Sequence, residues 1–179
     1  MANTALPRIY LAGPDVFRLD AAEHMQRLVL ACEKLGLEAL PPSDGMPPIT
    51  AIGKEAQYIF DTNMARLSVA DGVIANLEPF RGTEPDSGTV FEVGAAVAMG
   101  LPVVAYGVSG IYAARVKRLM KVVRTNGVLR DSRNYVVEDF DLPLNLMLAC
   151  SVRIEDSAED ALLALAAVFA GFRPGAPIH

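Results

Sequence analysis

ADGVIANLEPFRGTEPDSGTVFEVGAAVAMGLPVVAY, residues 70–106, holds a complete unit of strand, loop, helix and strand. GVIANL (72–77) reads as a central strand and PVVAY (102–106) as the next, because strands covered by helices on both faces are apolar along their length. The helix between them stops at Gly100, where glycine followed by proline is the expected end signal. The loop EPFRGTEPD leads into that helix.

The same alternation continues outward. RIYLAG (8–13) is a strand closed by Gly13-Pro14, and a helical pattern from about Asp20 to Leu35 stops at Gly36. LEALPP (37–42) is a second strand, followed by a Pro- and Gly-rich surface loop, SDGMPPITAIG. Lys54 to Ala70 is helical, with Ile59, Met64, Leu67 and Ala70 inward. Beyond the central unit, IYAARVKRLMKVVR (111–124) is amphipathic, RNYVVEDF (133–140) is a last and weaker strand, and SAEDALLALAAVFAGF closes the fold as a helix. Strands alternating with helices predict an α/β, doubly wound, flavodoxin- or Rossmann-like fold. The expected sheet is mostly parallel, five-stranded and flanked by helices.

Composition is consistent with that picture. With 179 residues, 52% hydrophobic and 21% charged, the chain is long enough for one core and short for two, so residues 1–179 form one domain. A net charge of -5 argues against a nucleic-acid partner, which calls for a basic face. Cys32 and Cys150 form no CxxC pair and read as reduced thiols. No signal peptide or membrane-length apolar run is evident, so the expectation is a cytoplasmic protein without a membrane partner. Two histidines, His24 and His179, leave little material for a Ser-His-Asp triad or a histidine metal site.

In a doubly wound sheet, ligands bind outside the carboxyl ends of the strands. That rule selects the loops LAGPD, NLEPFRGTEPDSG and YGVSG, none of which carries a GxGxxG or Walker A pattern. Glu92 is then conspicuous as the only charge in a small, apolar helix. Thr89-Val90-Phe91-Glu92 fits a T-x-x-E capping box, which is one reading. The other is chemical: Glu84 and Asp86 precede the helix, and Gly88 and Gly94 leave room for close approach. A carboxylate in a first helical turn is expected to be ionised by the helix dipole and free amides, and an ionised carboxylate is a nucleophile that needs no partner base.

IYLAGPDVF (9–17), the 70–106 stretch and LPLNLML (142–148) together resemble the nucleoside 2-deoxyribosyltransferases, in order and spacing, over most of residues 9–150. The resemblance implies that Glu92 attacks C1′ of a 2′-deoxynucleoside to form a deoxyribosyl ester, which a second base then resolves with net retention. Tyr10 matches a tyrosine that orients the nucleophile, although a half-buried strand aromatic reads almost as well. Asp86 matches the sugar-hydroxyl ligand, and Gly13, Ser87 and Gly88 fall among the substrate-binding positions. Asn145 and Met147 match an NLM segment that enters a neighbouring subunit's site, which implies a homo-oligomer built from dimers. For the base, Asn63 is assigned recognition and Asp61 the role of acid, since an asparagine has no acidic proton. Phe17 is a candidate to stack on the base, and Arg81 and Gly82 follow the family pattern without a derived role.

The resulting expectation is a nucleoside deoxyribosyltransferase of nucleotide salvage, acting on purine bases alone or on purines and pyrimidines, with no metal and no cofactor. Its small-molecule partners are nucleosides and nucleobases. One alternative is an N-glycosidase of 2′-deoxynucleosides or their 5′-monophosphates. Another is a nucleoside-binding module without turnover.

Overall fold

The computed structural model describes residues 5–42 and 53–171. The loop at 43–52 and the position of His179 lie outside the described residues. Among the described residues, seven strands occur in the order β1 (Arg8–Ala12), β2 (Glu38–Leu40), β3 (Gly72–Asn76), β4 (Val103–Tyr106), β5 (Val122–Thr125), β6 (Val128–Asp131) and β7 (Arg153–Ile154). The helices are α1 (Ala21–Lys34), α2 (Glu55–Ser68), α3 (Ser87–Ala98), α4 (Tyr112–Leu119), the short α5 (Leu146–Ala149) and α6 (Ala158–Gly171).

Five strands form one sheet in the order β2-β1-β3-β4-β7, and every pairing is parallel. All residues of β3 and β4 are buried, as strands covered on both faces must be. Alternate side chains enter two cores. Tyr10, Ala12, Val73 and Ala75 pack with Leu67 of α2 and Val93 and Ala96 of α3. Ile9, Leu11, Ile74 and Val104 pack with Leu28 of α1 and Leu162 and Leu165 of α6. Gly100, at φ 77, ends α3 in the left-handed conformation that its lack of a Cβ permits.

Two expectations change at the C-terminal third. The run 133–140 is not the fifth strand. Val136 makes one isolated bridge to Arg130, and Val137 is buried in a small separate core with Ala113, Val116 and Leu129. The fifth strand is β7, only two residues long, paired with Val104 and Ala105 of β4 and too short to register as an apolar run. The amphipathic stretch 111–124 is also not one helix. α4 ends at Leu119, and β5 pairs antiparallel with β6 across Asn126-Gly127, whose φ angles are 50 and 80. Asn-Gly between two β-branched runs is a strong hairpin signal, because both turn residues tolerate positive φ.

The N-terminal ends of the strands border a cleft of about 1050 Å³ lined by Arg8, Glu38, Asp71, Pro102 and Phe169. Arg8 and Asp71 bridge across it, with Nε 3.3 Å from Oδ2. No helix among the described residues is long and apolar enough to cross a membrane.

Candidate active site

Strand order reverses between β1 and β3, so the loops that follow these strands diverge and leave a crevice at their carboxyl ends. Tyr10 rises from β1 into this region, wholly buried, and its hydroxyl donates to Oε1 of Glu92 on α3 at 2.6 Å. The two sequence readings of Tyr10 therefore coincide: it is both a core aromatic and a partner of the carboxylate.

Helix α3 begins earlier than a Thr89 cap requires. Asp86 is the N-cap, its Oδ2 accepting from the Thr89 amide at 3.0 Å and from the Thr89 hydroxyl at 3.1 Å. The capping box is therefore not formed, and Glu92 is free of that duty. It sits in the second turn of α3, where helix-dipole stabilisation has fallen off, so the expected reason for its ionisation also fails. Its pKa is instead raised, first by burial and also by the charge of Asp86, while the Tyr10 hydrogen bond acts in the opposite direction. The Tyr10 hydroxyl is itself pushed far above the tyrosine range by burial, then by the charge and hydrogen bond of Glu92. Tyr10 is thus a fixed donor, and Glu92 is a desolvated carboxylate held by it.

Glu92 opens onto a cavity of about 350 Å³ shared with Gly13, Phe17, Asn63, Asp86 and Gly88. Asp61 does not join them. It is exposed, and its Oδ1 accepts from Gln57 Nε2 at 2.8 Å. Two residues along a helix rotate a side chain by about 200°, so Asn63 and Asp61 cannot both face the crevice. Ser87, Asn145 and Met147 are also elsewhere, in a groove of about 550 Å³ along α3 that includes Val93 and Gly94. There Asn145 caps α5, accepting from the Met147 amide at 3.0 Å and donating to Glu138 Oε1 at 2.7 Å.

Residues not anticipated as structural supports hold the crevice open. Asp15 is 3% exposed and accepts from Asn76 Nδ2 at 3.1 and 3.2 Å and, at 3.5 Å, from the Tyr106 hydroxyl. His24 Nε2 approaches the same carboxylate at 3.2 Å, without the alignment of a hydrogen bond. This cluster ties the turn after β1 to the ends of β3 and β4. It also requires Gly13, where a Cβ would fall 2.6 Å from Asp15 Oδ2. Buried Arg115 on α4 fastens the other loops, donating to the carbonyls of Thr83 at 3.4 Å and Ser109 at 3.0 Å. The signal in the sequence was faint: Asn76 is the lone polar residue in an apolar strand, and Asp15 follows directly on a strand-ending Gly-Pro.

At the mouth, Phe17 stacks on Phe80 with ring centroids 5.4 Å apart and an interplanar angle of 20°. The Arg81 guanidinium lies 4.5 Å from the Phe80 centroid and 5.3 Å from that of Phe17. Arg81 achieves this with φ 54. Left-handed backbone costs a residue with a Cβ about 1–2 kcal/mol. Two exposed cation–π contacts at about 0.5–1 kcal/mol each do no more than offset that cost, so the contacts leave little net stability. No group of three or more His, Cys, Asp or Glu side chains among the described residues is arranged to hold a metal ion.

Residues 9–147 match the family model described as nucleoside 2-deoxyribosyltransferase. Among solved structures, a 2-desoxiribosyltransferase from Leishmania mexicana is 29% identical, with a TM-score of 0.71 over 90% of this chain and 97% of that one. A conserved protein from Enterococcus faecalis shares the fold at 22% identity and TM-score 0.60, over 92% of this chain and 99% of its own. So does a 2-deoxyribosyltransferase from Bacillus psychrosaccharolyticus, at 19% and 0.55 over 87% and 90%. An uncharacterised protein of Schizosaccharomyces pombe is 31% identical over 121 residues, 65% of this chain, and the match spans 57% of that relative's length.

Proposed function

Since the chain belongs to the nucleoside 2-deoxyribosyltransferase family, we propose that it moves 2-deoxyribose between nucleobases through a covalent ester on Glu92. The observation that carries this reading is the 2.6 Å hydrogen bond from Tyr10 to Glu92 at the wall of a 350 Å³ cavity, a size within the range of small-ligand sites. With Oε1 held by Tyr10, Oε2 attacks C1′. The bond from C1′ to the base breaks, and the base leaves with the electron pair and takes a proton from solvent at the cavity mouth. A nitrogen of the incoming base then attacks C1′ of the ester, the C1′–carboxylate bond breaks, and the base loses its N–H proton to solvent. Two inversions give retention.

Burial strengthens this nucleophile by removing the water that would solvate the carboxylate, and the Tyr10 hydrogen bond favours its ionised form. Asp86 uses Oδ2 for the helix cap, which leaves Oδ1 for a sugar hydroxyl. Asn63 hydrogen-bonds the base without acting as an acid. Neither a metal nor a redox cofactor is called for by these steps. Asn145 and Met147 serve a neighbouring subunit's site in a homo-oligomer. Their place in a groove separate from the Glu92 cavity, with Met147 73% exposed, supports that reading.

Incubation with deoxyinosine and adenine tests the proposal. Deoxyadenosine is the expected product. Free deoxyribose alone would make the protein an N-glycosidase, and bound but unchanged nucleoside would make it a binding module. Glu92→Ala is expected to lower transfer by on the order of a thousandfold or more, as loss of a nucleophile does.

A further inference from the structure

Four non-glycine residues among those described have positive φ: Arg81, Asn126, Asn134 and Asp141. Asparagine and aspartate visit this region readily because their short side chains bond locally to the backbone, whereas a long side chain does not. Arg81 is therefore the outlier, and backbone strain of this kind persists where the strained residue has a task. Its surroundings indicate the task. Phe80 and Arg81, on the loop after β3, both lie against Phe17, on the turn after β1. Phe17 is 60% exposed yet borders the cavity that contains Glu92.

We propose that Arg81 is a positioning residue for a flat aromatic heterocycle: the strained turn places its guanidinium on the Phe17–Phe80 pair and holds Phe17 as a fixed platform at the cavity mouth. This inference rests on the deoxyribosyl-transfer reading in taking that heterocycle to be the base of a nucleoside. Without the cation, Phe17 keeps its stack on Phe80 but loses the guanidinium contact, and a ring that is 60% exposed is then freer to change rotamer. The cost falls on binding, because each encounter must then order the ring.

Arg81→Gly is the decisive variant, because glycine adopts the same φ without strain and removes the guanidinium. The probe is 2-aminopurine 2′-deoxyriboside, whose fluorescence is quenched when it stacks on an aromatic ring. Wild-type protein is expected to quench it. Arg81→Gly is expected to keep the wild-type unfolding temperature while raising the probe's dissociation constant about tenfold, the scale of one lost base-stacking contact. In transfer assays the change falls on KM more than on kcat, and Arg81→Lys, which keeps a cation, recovers part of the affinity.

Wild-type affinity and quenching in Arg81→Gly would overturn the proposal. So would a wild-type protein that does not quench the probe, or an unfolding temperature that drops along with affinity, which would make Arg81 merely structural. Arg81-dependent quenching in a protein that transfers no deoxyribose would leave this inference standing and remove the transferase reading. Normal transfer by Arg81→Gly, with unchanged KM and quenching, would do the reverse.

Discussion

Glu92 and Tyr10 form a hydrogen-bonded pair in which only the carboxylate titrates in the acid range. The proposed transfer uses ionised Glu92, so activity is expected to fall as pH drops through a pKa that burial has raised above the ordinary 4.5. The Tyr10 hydrogen bond is the influence that lowers it. Tyr10→Phe is therefore expected to move the acid limb of the pH–kcat profile to higher pH. It should also cost about 10- to 100-fold in kcat, the worth of one hydrogen bond to a charged group. An unmoved acid limb would mean that another group sets it. Stability runs the other way. A carboxylate with a raised folded pKa favours folding when protonated, and that contribution is lost as pH rises from the unfolded value through the folded one. Glu92→Gln should accordingly melt higher than wild type at neutral pH while remaining inactive, as scanning calorimetry together with the transfer assay would reveal.

Among the elements, the turn after β1 is the piece most dependent on a single side chain. Asp15→Ala would leave buried Asn76 and Tyr106 without their shared acceptor and take away the carboxylate beside His24. A loss of about 3 kcal/mol is expected, or roughly 10 °C in thermal midpoint. A midpoint within a degree of wild type would refute the anchoring role. Elements also mark the limit of what the chain's pattern reveals. Long apolar strands and glycine-ended helices were legible because period and end signals act locally. The exchange of 133–140 for Arg153–Ile154 was not, because a two-residue strand is defined by its partner, β4, and has no period of its own. The hairpin at Asn126-Gly127 has a local turn signal, but its first strand falls inside the apolar pattern of 111–124, which reads as helix. Glu92, Asp86 and Asn63 were singled out by motif, and the structure brings all three to one cavity. The cap on α3 and the outward turn of Asp61 depend on where a helix starts and how it is rotated, which a motif leaves open.

For the molecule as a whole, the separation of the Glu92 cavity from the Asn145 groove makes an assembly testable. Glu92→Ala and Asn145→Ala proteins should each be inactive, and their mixture should regain partial activity, since some sites then contain both native residues. Exchange of subunits shown by native mass spectrometry, without recovered activity, would rule out a shared site. The all-parallel sheet has a practical corollary. The proposed site lies at one rim, and the cleft bordered by Arg8, Asp71 and Phe169 lies at the other. Anchoring the protein to a resin or an electrode through that far rim would leave the entrance facing bulk solution, so an immobilised catalyst could keep its turnover where one fixed by the opposite end would be blocked by its own support.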